Sequence, residues 1–272
     1  MVENTGGLGV AMQIKKVKLM TGTLWHLWLF LVLGSISAMA LEWVVTPLGG
    51  KDSAQGPYEP GKVEFLDNGF ITRATGGDIW GAKLGCTYVH LKKPIRGDFT
   101  IVYTIEEHTT EPATTWSKCG VMVAQELDPE TPYVFIQSAC SNDPTALNDK
   151  GTKIITRLDK GGAAGPGSNG WTKLKWPVTY KFVRKKDKFT ASVSFDRGKT
   201  FKSIVAGDKK DTSSIVFTDP VYVGIAINGH NGGKTTGTAK VIDIFLNGQD
   251  TFPVEPVGKL GSVWGQIKGR SQ

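Results

Sequence analysis

The run Trp116–Gln125, a short polar break, and the run Tyr133–Ala139 constrain this chain's fold more than any other feature. Both runs are rich in β-branched, aromatic and small apolar residues, and neither is long enough for a convincing helix. Between them lies Asp128-Pro129-Glu130-Thr131-Pro132, where proline fixes φ and removes a backbone donor, so the chain turns. The two runs therefore read as a central β-hairpin. Nearly continuous apolar strands belong in the middle of a sheet that is covered on both faces.

The same grammar repeats along the chain. Lys62–Leu66 and Phe70–Ala74 flank Asp67-Asn68-Gly69, and Asn-Gly is the strongest short hairpin signal. Phe99, Ile101, Tyr103 and Ile105 share one face at period two, and Phe189–Phe195 alternates in the same way. Cys86–Leu91, Lys153–Leu158, Tyr180–Arg184, Val221–Asn228 and Ala239–Leu246 read as further strands, and no helical periodicity appears after residue 40. Short strands with turn signals roughly every 8–12 residues predict an all-β chain of two packed antiparallel sheets. We place this sandwich at residues 62–248, after a Pro/Gly-punctuated opening segment, 41–61, and before a C-terminal extended tail, 249–272.

Residues 1–40 read differently. Lys15, Lys16 and Lys18 precede the apolar run Leu24–Leu33, and Ala38-Met39-Ala40 supplies small residues for cleavage. This is the order of an N-terminal signal helix, so export and a mature start at Leu41 are expected, with no membrane attachment after cleavage. Retention as an anchor is the alternative, although the apolar run is short for a span of about 20 residues. The chain carries a formal charge of +7, of which residues 1–40 hold +2. The remaining +5 is that of an ordinary soluble surface, and no nucleic-acid partner is expected.

Export permits disulfides. Folding the hairpin brings Cys119 near Cys140, which makes them the candidate bridge; the other reading leaves Cys86, Cys119 and Cys140 as buried thiols. There is no C-x-x-C for zinc and no G-x-S-x-G elbow. Gly232-Gly233-Lys234-Thr235 is followed by a strand rather than the helix a phosphate loop requires. Ser194-Phe195-Asp196-Arg197-Gly198-Lys199-Thr200-Phe201 matches an Asp-box, but a single copy reads as a structural turn rather than a propeller blade.

Several phrases occur in a telling order: Asp78-Ile79-Trp80-Gly81, Gly97-Asp98-Phe99-Thr100, Trp116-x-Lys118-x-Gly120-Val121-Met122-Val123, Tyr180-x-Phe182-x-Arg184, Ser192-x-Ser194-x-Asp196-x-Gly198, Val221-Tyr222-Val223-Gly224 and Asp243. Together they resemble the concanavalin-A-like lectin/glucanase superfamily, in its LamG-like jelly-roll branch of secreted bacterial domains. The resemblance implies a jelly-roll sandwich. It implies less about function, because the fold carries lectins, glycosidases and adhesion modules. The glucanases of that superfamily carry a Glu-x-Asp-x-(x)-Glu strand, which is absent here. Glu106 and Glu107 are adjacent and would point to opposite faces of a strand. Asp243, between Ile242 and Ile244, reads as a buried acid in preference to a calcium ligand; no cofactor is expected, and calcium has no specific motif in its favour.

Aromatics near loops carry the remaining functional signal. Sugar rings bind through their C–H faces on exposed aromatics, with polar groups orienting the hydroxyls. The expected site joins Trp80 or Trp171 to the loop Asn228–Gly233, with Asn228, His230 and Asn231 as the polar contacts. The leading expectation is an exported, non-catalytic carbohydrate-binding or adhesion module that recognises a polysaccharide or cell-surface glycan. The alternative is a structural β-sandwich with a protein partner, engaged through the tail. A glycoside hydrolase stands third, because the carboxylate strand is missing.

Overall fold

The computed structural model describes residues 41–50, 53, 58, 60–75, 77–112, 116–140, 151–165, 170–172, 174–204 and 212–252. The expected signal segment and the tail beyond residue 252 lie outside these residues. Among the described residues there is no helix, and so none long and apolar enough to cross a bilayer.

The described residues form fifteen strands in order: β1 (Trp43–Leu48), β2 (Lys62–Leu66), β3 (Gly69–Thr75), β4 (Cys86–Leu91), β5 (Phe99–Glu111), β6 (Lys118–Ala124), β7 (Tyr133–Ala139), β8 (Thr152–Arg157), β9 (Val178–Lys185), β10 (Lys188–Ser194), β11 (Lys202–Ser203), β12 (Thr212–Ser214), β13 (Tyr222–Asn228), β14 (Thr236–Leu246) and β15 (Gln249–Asp250). They form two antiparallel sheets, the jelly-roll sandwich expected from the sequence. One has six strands in the order β1-β4-β13-β6-β7-β8. The other runs β11-β10-β9-β5-β14-β3-β2, with β12 on β10 and β15 on β14. The opening segment thus contributes an edge strand, with Trp43 opposite Leu91 and Leu48 opposite Cys86.

The hairpin β6–β7 sits inside the six-stranded sheet, and every residue of both strands is buried. Period two explains how. Val121, Val123, Val134 and Ile136 face the opposite sheet and meet Ile101, Tyr103, Tyr180 and Phe182 in the main core. Tyr103 and Tyr180 stack at 5.4 Å between ring centroids. Their hydroxyls cross the core: the Val121 N–H donates to Tyr103 Oη, and Tyr180 Oη donates to Ser138 Oγ. Buried phenols need such partners.

Met122, Ala124, Tyr133 and Phe135 point the other way, into a second apolar cluster with Cys86, Tyr88, Ile155 and Ala226. This outer face is roofed by the segment 77–85, whose Ile79 and Leu84 join the cluster. Arg157 fixes the roof. Fully buried, it donates through Nε and Nη2 to the Gly81 carbonyl, and through Nη1 to the carbonyls of Pro129 and Thr131. The guanidinium also lies over the Tyr133 ring, 4.9 Å from its centroid. Four bonds fanned in fixed directions to three carbonyls suit arginine and not lysine. The Leu84 N–H closes the arrangement on the Pro129 carbonyl.

The Asp-box is a turn, as expected. Asp196 accepts from Ser194 Oγ, the Thr200 N–H and Thr200 Oγ1, and these bonds hold its carboxyl well below the usual carboxylate range. Asp243, which has φ near 53°, accepts from Asn68 Nδ2 while its own N–H donates to the Asn68 carbonyl, so it pins a hairpin.

The expected bridge between Cys119 and Cys140 is not formed; all three cysteines are buried thiols. The register explains it. Ser138 stands opposite Cys119, and Cys140 lies past the end of β7 with its thiol donating to the His108 carbonyl. Burial pushes the Cys140 thiol up to about 12, and the other two also upward, so none is a ready nucleophile. Thiol titration of unreduced protein is expected to find no rapidly reacting group in the native state and all three after unfolding. Recovery of a single thiol after unfolding would restore the bridge.

Candidate functional site

The roof borders a cleft on the outer face of the six-stranded sheet. The cleft, of about 470 Å³, is lined by Asp78, Trp80, Trp116, Lys118, Gln137, Lys153 and His230. Small-molecule sites run roughly 300–1,000 Å³. The floor comes from neighbouring strands: Lys118 opens β6, Gln137 lies near the end of β7, and Lys153 stands opposite Gln137 on β8. Asp78 and Trp80 come from the roof, Trp116 lies two residues before β6, and His230 follows β13.

Lys118 is the unusual member. It is a charged residue in a strand that is otherwise apolar, and its side chain is 3% exposed. Its ammonium donates to Asp78 Oδ1, whose side chain is 6% exposed, and also reaches the Trp116 carbonyl at 3.4 Å. The Ile79 N–H donates to the same Asp78 oxygen. Burial pulls the Lys118 pKa down while Asp78 opposes it. The pair ties the roof to the sheet in the cleft wall itself.

Asn228 ties the same corner from below. Its Oδ1 accepts from the Lys118 N–H, and its Nδ2 donates to the Gly77 carbonyl at 3.4 Å. Its own carbonyl accepts from Ser117 Oγ. Because Ser117 spends its proton there, it accepts from His108 Nε2–H, which sets that histidine's tautomer. Burial drives His108 down to about 3, so it is neutral. Gly77 has φ near 59°, and a Cβ on it would meet the Gly85 carbonyl oxygen at 2.2 Å, so only glycine lets the roof close on itself there.

His230 begins a run of four left-handed residues, His230, Asn231, Gly232 and Gly233, closed by the Lys234 N–H on the Asn231 carbonyl. This tight turn sends the imidazole back over Trp116, with ring centroids 5.9 Å apart and planes 24° apart. Its Nε2 lies 3.6 Å from Asp78 Oδ2. Desolvation lowers its pKa, Asp78 opposing and Lys118 assisting, so the ring is neutral at pH 7.

The structure therefore divides the expected site. Trp80 and His230 line the cleft. Asn228 is fully buried and spent on backbone bonds, so it braces the site instead of touching a ligand. Asn231 is exposed on the turn and is not part of the lining. Trp171 sits elsewhere: its indole N–H donates to the Ser203 carbonyl and its ring packs edge-on to Phe195. The Gly-rich loop before it suggested exposure, but the β10–β11 edge captures the ring. Sequence reasoning missed Asp78, Trp116, Lys118, Gln137 and Lys153 as lining residues. A lysine inside an apolar strand was the available signal, because a buried charge demands a partner.

A larger groove of about 720 Å³ lies on the nine-stranded sheet, lined by Thr109, Thr236, Thr238, Arg73, Glu107 and Lys240 among others, with no aromatic side chain.

No family model matches the chain, and no curated protein matches it. Among solved structures it is similar to a functionally unknown protein from Saccharomyces cerevisiae, 13% identical, with 71% of this chain and 95% of that one covered and a TM-score of 0.49. It is also similar to the exoplasmic/lumenal domain of VIP36 in a Ca2+/Man-bound form, 11% identical, with 75% and 88% covered and a TM-score of 0.43. A third is xylan β-1,4-xylosidase from Bacillus halodurans, 12% identical, with 65% of this chain covered and a TM-score of 0.42; the match spans only 32% of that enzyme. None of the three singles out the LamG-like branch, for which the sequence phrases stand alone.

Removing one partner of the Asp78–Lys118 pair strands a buried charge. Asp78→Asn and Lys118→Met are each expected to cost about 3–5 kcal/mol of unfolding free energy. The double variant Asp78→Asn/Lys118→Met is expected to recover most of that loss. Urea denaturation measures both, and fully additive losses would contradict the pairing.

Proposed function

We propose that the cleft is a carbohydrate-binding site and that the protein acts as an exported, non-catalytic binding module. The observation that carries this reading is a pair of tryptophans, Trp80 and Trp116, lining one cleft above a polar floor. Trp116 is 39% exposed and is backed by His230, so its orientation is set before a ligand arrives. An aromatic face offers a sugar ring dispersion and C–H contacts, and Gln137 and Lys153 in the lining are polar groups suited to orienting hydroxyls. The groove on the other sheet has no such platform.

The acid inventory supports a non-catalytic role. Glycoside hydrolysis uses two carboxyl groups flanking the scissile bond, one to protonate the leaving oxygen and one to attack or activate water. Among the described residues a single carboxylate, Asp78, lines the cleft, and it is buried against Lys118. A second carboxylate to share the chemistry is missing from that lining.

Trp116→Ala and Trp80→Ala are each expected to weaken polysaccharide retention by about 1–2 kcal/mol, roughly five- to thirtyfold, with the folded spectrum unchanged. Trp171→Ala, outside the cleft, is expected to bind as the parent does, and no reducing ends should accumulate during incubation. Parent-like retention in both cleft variants, or release of new reducing ends, would overturn the reading.

A further inference from the structure

The groove on the nine-stranded sheet has a chemistry unlike that of the cleft. It crosses β3, β14 and β5. Phe70, Ala74, Ala239 and Val241 of these strands point into the core, so Ile71, Arg73, Thr238 and Lys240 point outward. Cleft and groove therefore open on opposite faces of the sandwich. Register gives the groove its shape. Thr238 on the middle strand stands between Arg73 and Thr109, Lys240 is opposite Glu107, and Thr236 is opposite Glu111. Short threonines make the floor and longer charged side chains rise around it. From Thr236 to Lys240 the floor extends about 14 Å along the strand, more than one pyranose ring.

The charges of this lining balance among the described residues: Arg73 and Lys240 against Glu107 and Glu111. Among the described residues none of these four side chains forms an ion pair or a hydrogen bond, although Glu107 stands opposite Lys240. Arg73 and Lys240 only donate, the carboxylates only accept, and threonine hydroxyls do both. A peptide strand does not suit this surface, because the backbones of β3, β14 and β5 are already spent on their ladders. Among the described residues Ile71 is the single aliphatic side chain of the lining larger than threonine, so there is no row of apolar pockets either. An anionic ligand would meet two carboxylates and a cationic one two cations. A neutral polyol meets neither penalty, and each of its hydroxyls both donates and accepts.

We propose that this groove is a second glycan site, that it takes a neutral polysaccharide chain through hydrogen bonds alone, and that the protein bridges two chains, one on each face. The proposal takes its class of ligand from the carbohydrate reading of the cleft and adds a site to it. Arg73 donates to sugar oxygens on one side, Glu107 and Glu111 accept from hydroxyls on the other, and charge assistance strengthens both kinds of bond. Without an aromatic platform the groove holds a short oligosaccharide more weakly than the cleft does. On a polymer surface the two sites act together, and avidity makes the weaker one count.

The test titrates hexasaccharides of four neutral polymers, a mannan, a xylan, a galactan and a β-1,4-glucan, into the protein and follows its amide and indole resonances. With at least one of them, the Thr236 and Thr238 amides are expected to shift along a weaker saturation curve than the Trp80 and Trp116 indoles. Arg73→Met and Glu107→Gln should each weaken the groove curve about fivefold or more and leave the cleft curve unchanged. Trp116→Ala should do the reverse, and Lys185→Met, outside both sites, should alter neither. Light scattering of the parent mixed with the matching polymer should rise as chains are bridged, and Arg73→Met should abolish the rise. Groove amides that stay in place while the cleft indoles shift would overturn the second site and keep the cleft. Groove shifts indifferent to both Arg73→Met and Glu107→Gln would reveal unspecific surface contact and overturn the proposal. Groove shifts that those variants weaken, with the cleft indoles silent, would keep the groove and remove the reading of the cleft. No shift at either site with any of the four would remove both.

Discussion

A sheet that is apolar on both faces must be covered on both faces, and this requirement shapes the molecule. The six-stranded sheet satisfies it on one side by packing against the second sheet, through Val121, Val123, Val134 and Ile136. On the other side, among the described residues, Ile79 and Leu84 of the irregular segment 77–85 join Met122 and Phe135 in one cluster. Irregular backbone cannot satisfy itself when it is buried. Two buried cations supply the missing bonds: Arg157 collects carbonyls from the roof and the adjoining turn, and Lys118 holds Asp78. The cleft is what remains where the roof stops. Its walls and its anchoring come from the same residues, which is why Trp80, Asp78 and Lys118 meet there.

This arrangement separates bracing from contact. Asn228, Ser117 and His108 form a buried chain of hydrogen bonds beneath the cleft and present nothing to a ligand. Trp116 and Trp80 line the cleft on backbone that is already fixed, by the start of β6 and by the Gly81 carbonyl held on Arg157. A platform that is ordered before binding loses less entropy when a ring settles on it.

How much was legible in the sequence follows from the range of each interaction. The central hairpin, the Asn68-Gly69 turn and the alternating strand Phe99–Ile105 are local patterns, and they appear where periodicity and turn chemistry place them. Trp80 and His230 were found because aromatic and polar loop residues advertise themselves. Asp78 and Lys118 lie forty residues apart, and nothing local ties them. Asn228 looked like a ligand contact because it ends a strand beside a loop, and its burial depends on a roof invisible to sequence. Trp171 failed in the opposite sense: glycines around it read as freedom, yet the Ser203 carbonyl and Phe195 fix the ring. Proximity of Cys119 and Cys140 followed from the hairpin, but pairing depends on register, and the register puts Ser138 in the place a bridge would need.

The account stands on Trp80 and Trp116 forming one ligand platform. The most direct measurement is the set of tryptophan indole N–H resonances, followed while an oligosaccharide of a retained polysaccharide is titrated into the protein. The account predicts that the Trp80 and Trp116 signals shift together with one saturating curve while the Trp43 and Trp171 signals stay in place. Shifts confined to tryptophans outside the cleft, or movement of Trp80 and Trp116 with different affinities, would contradict it.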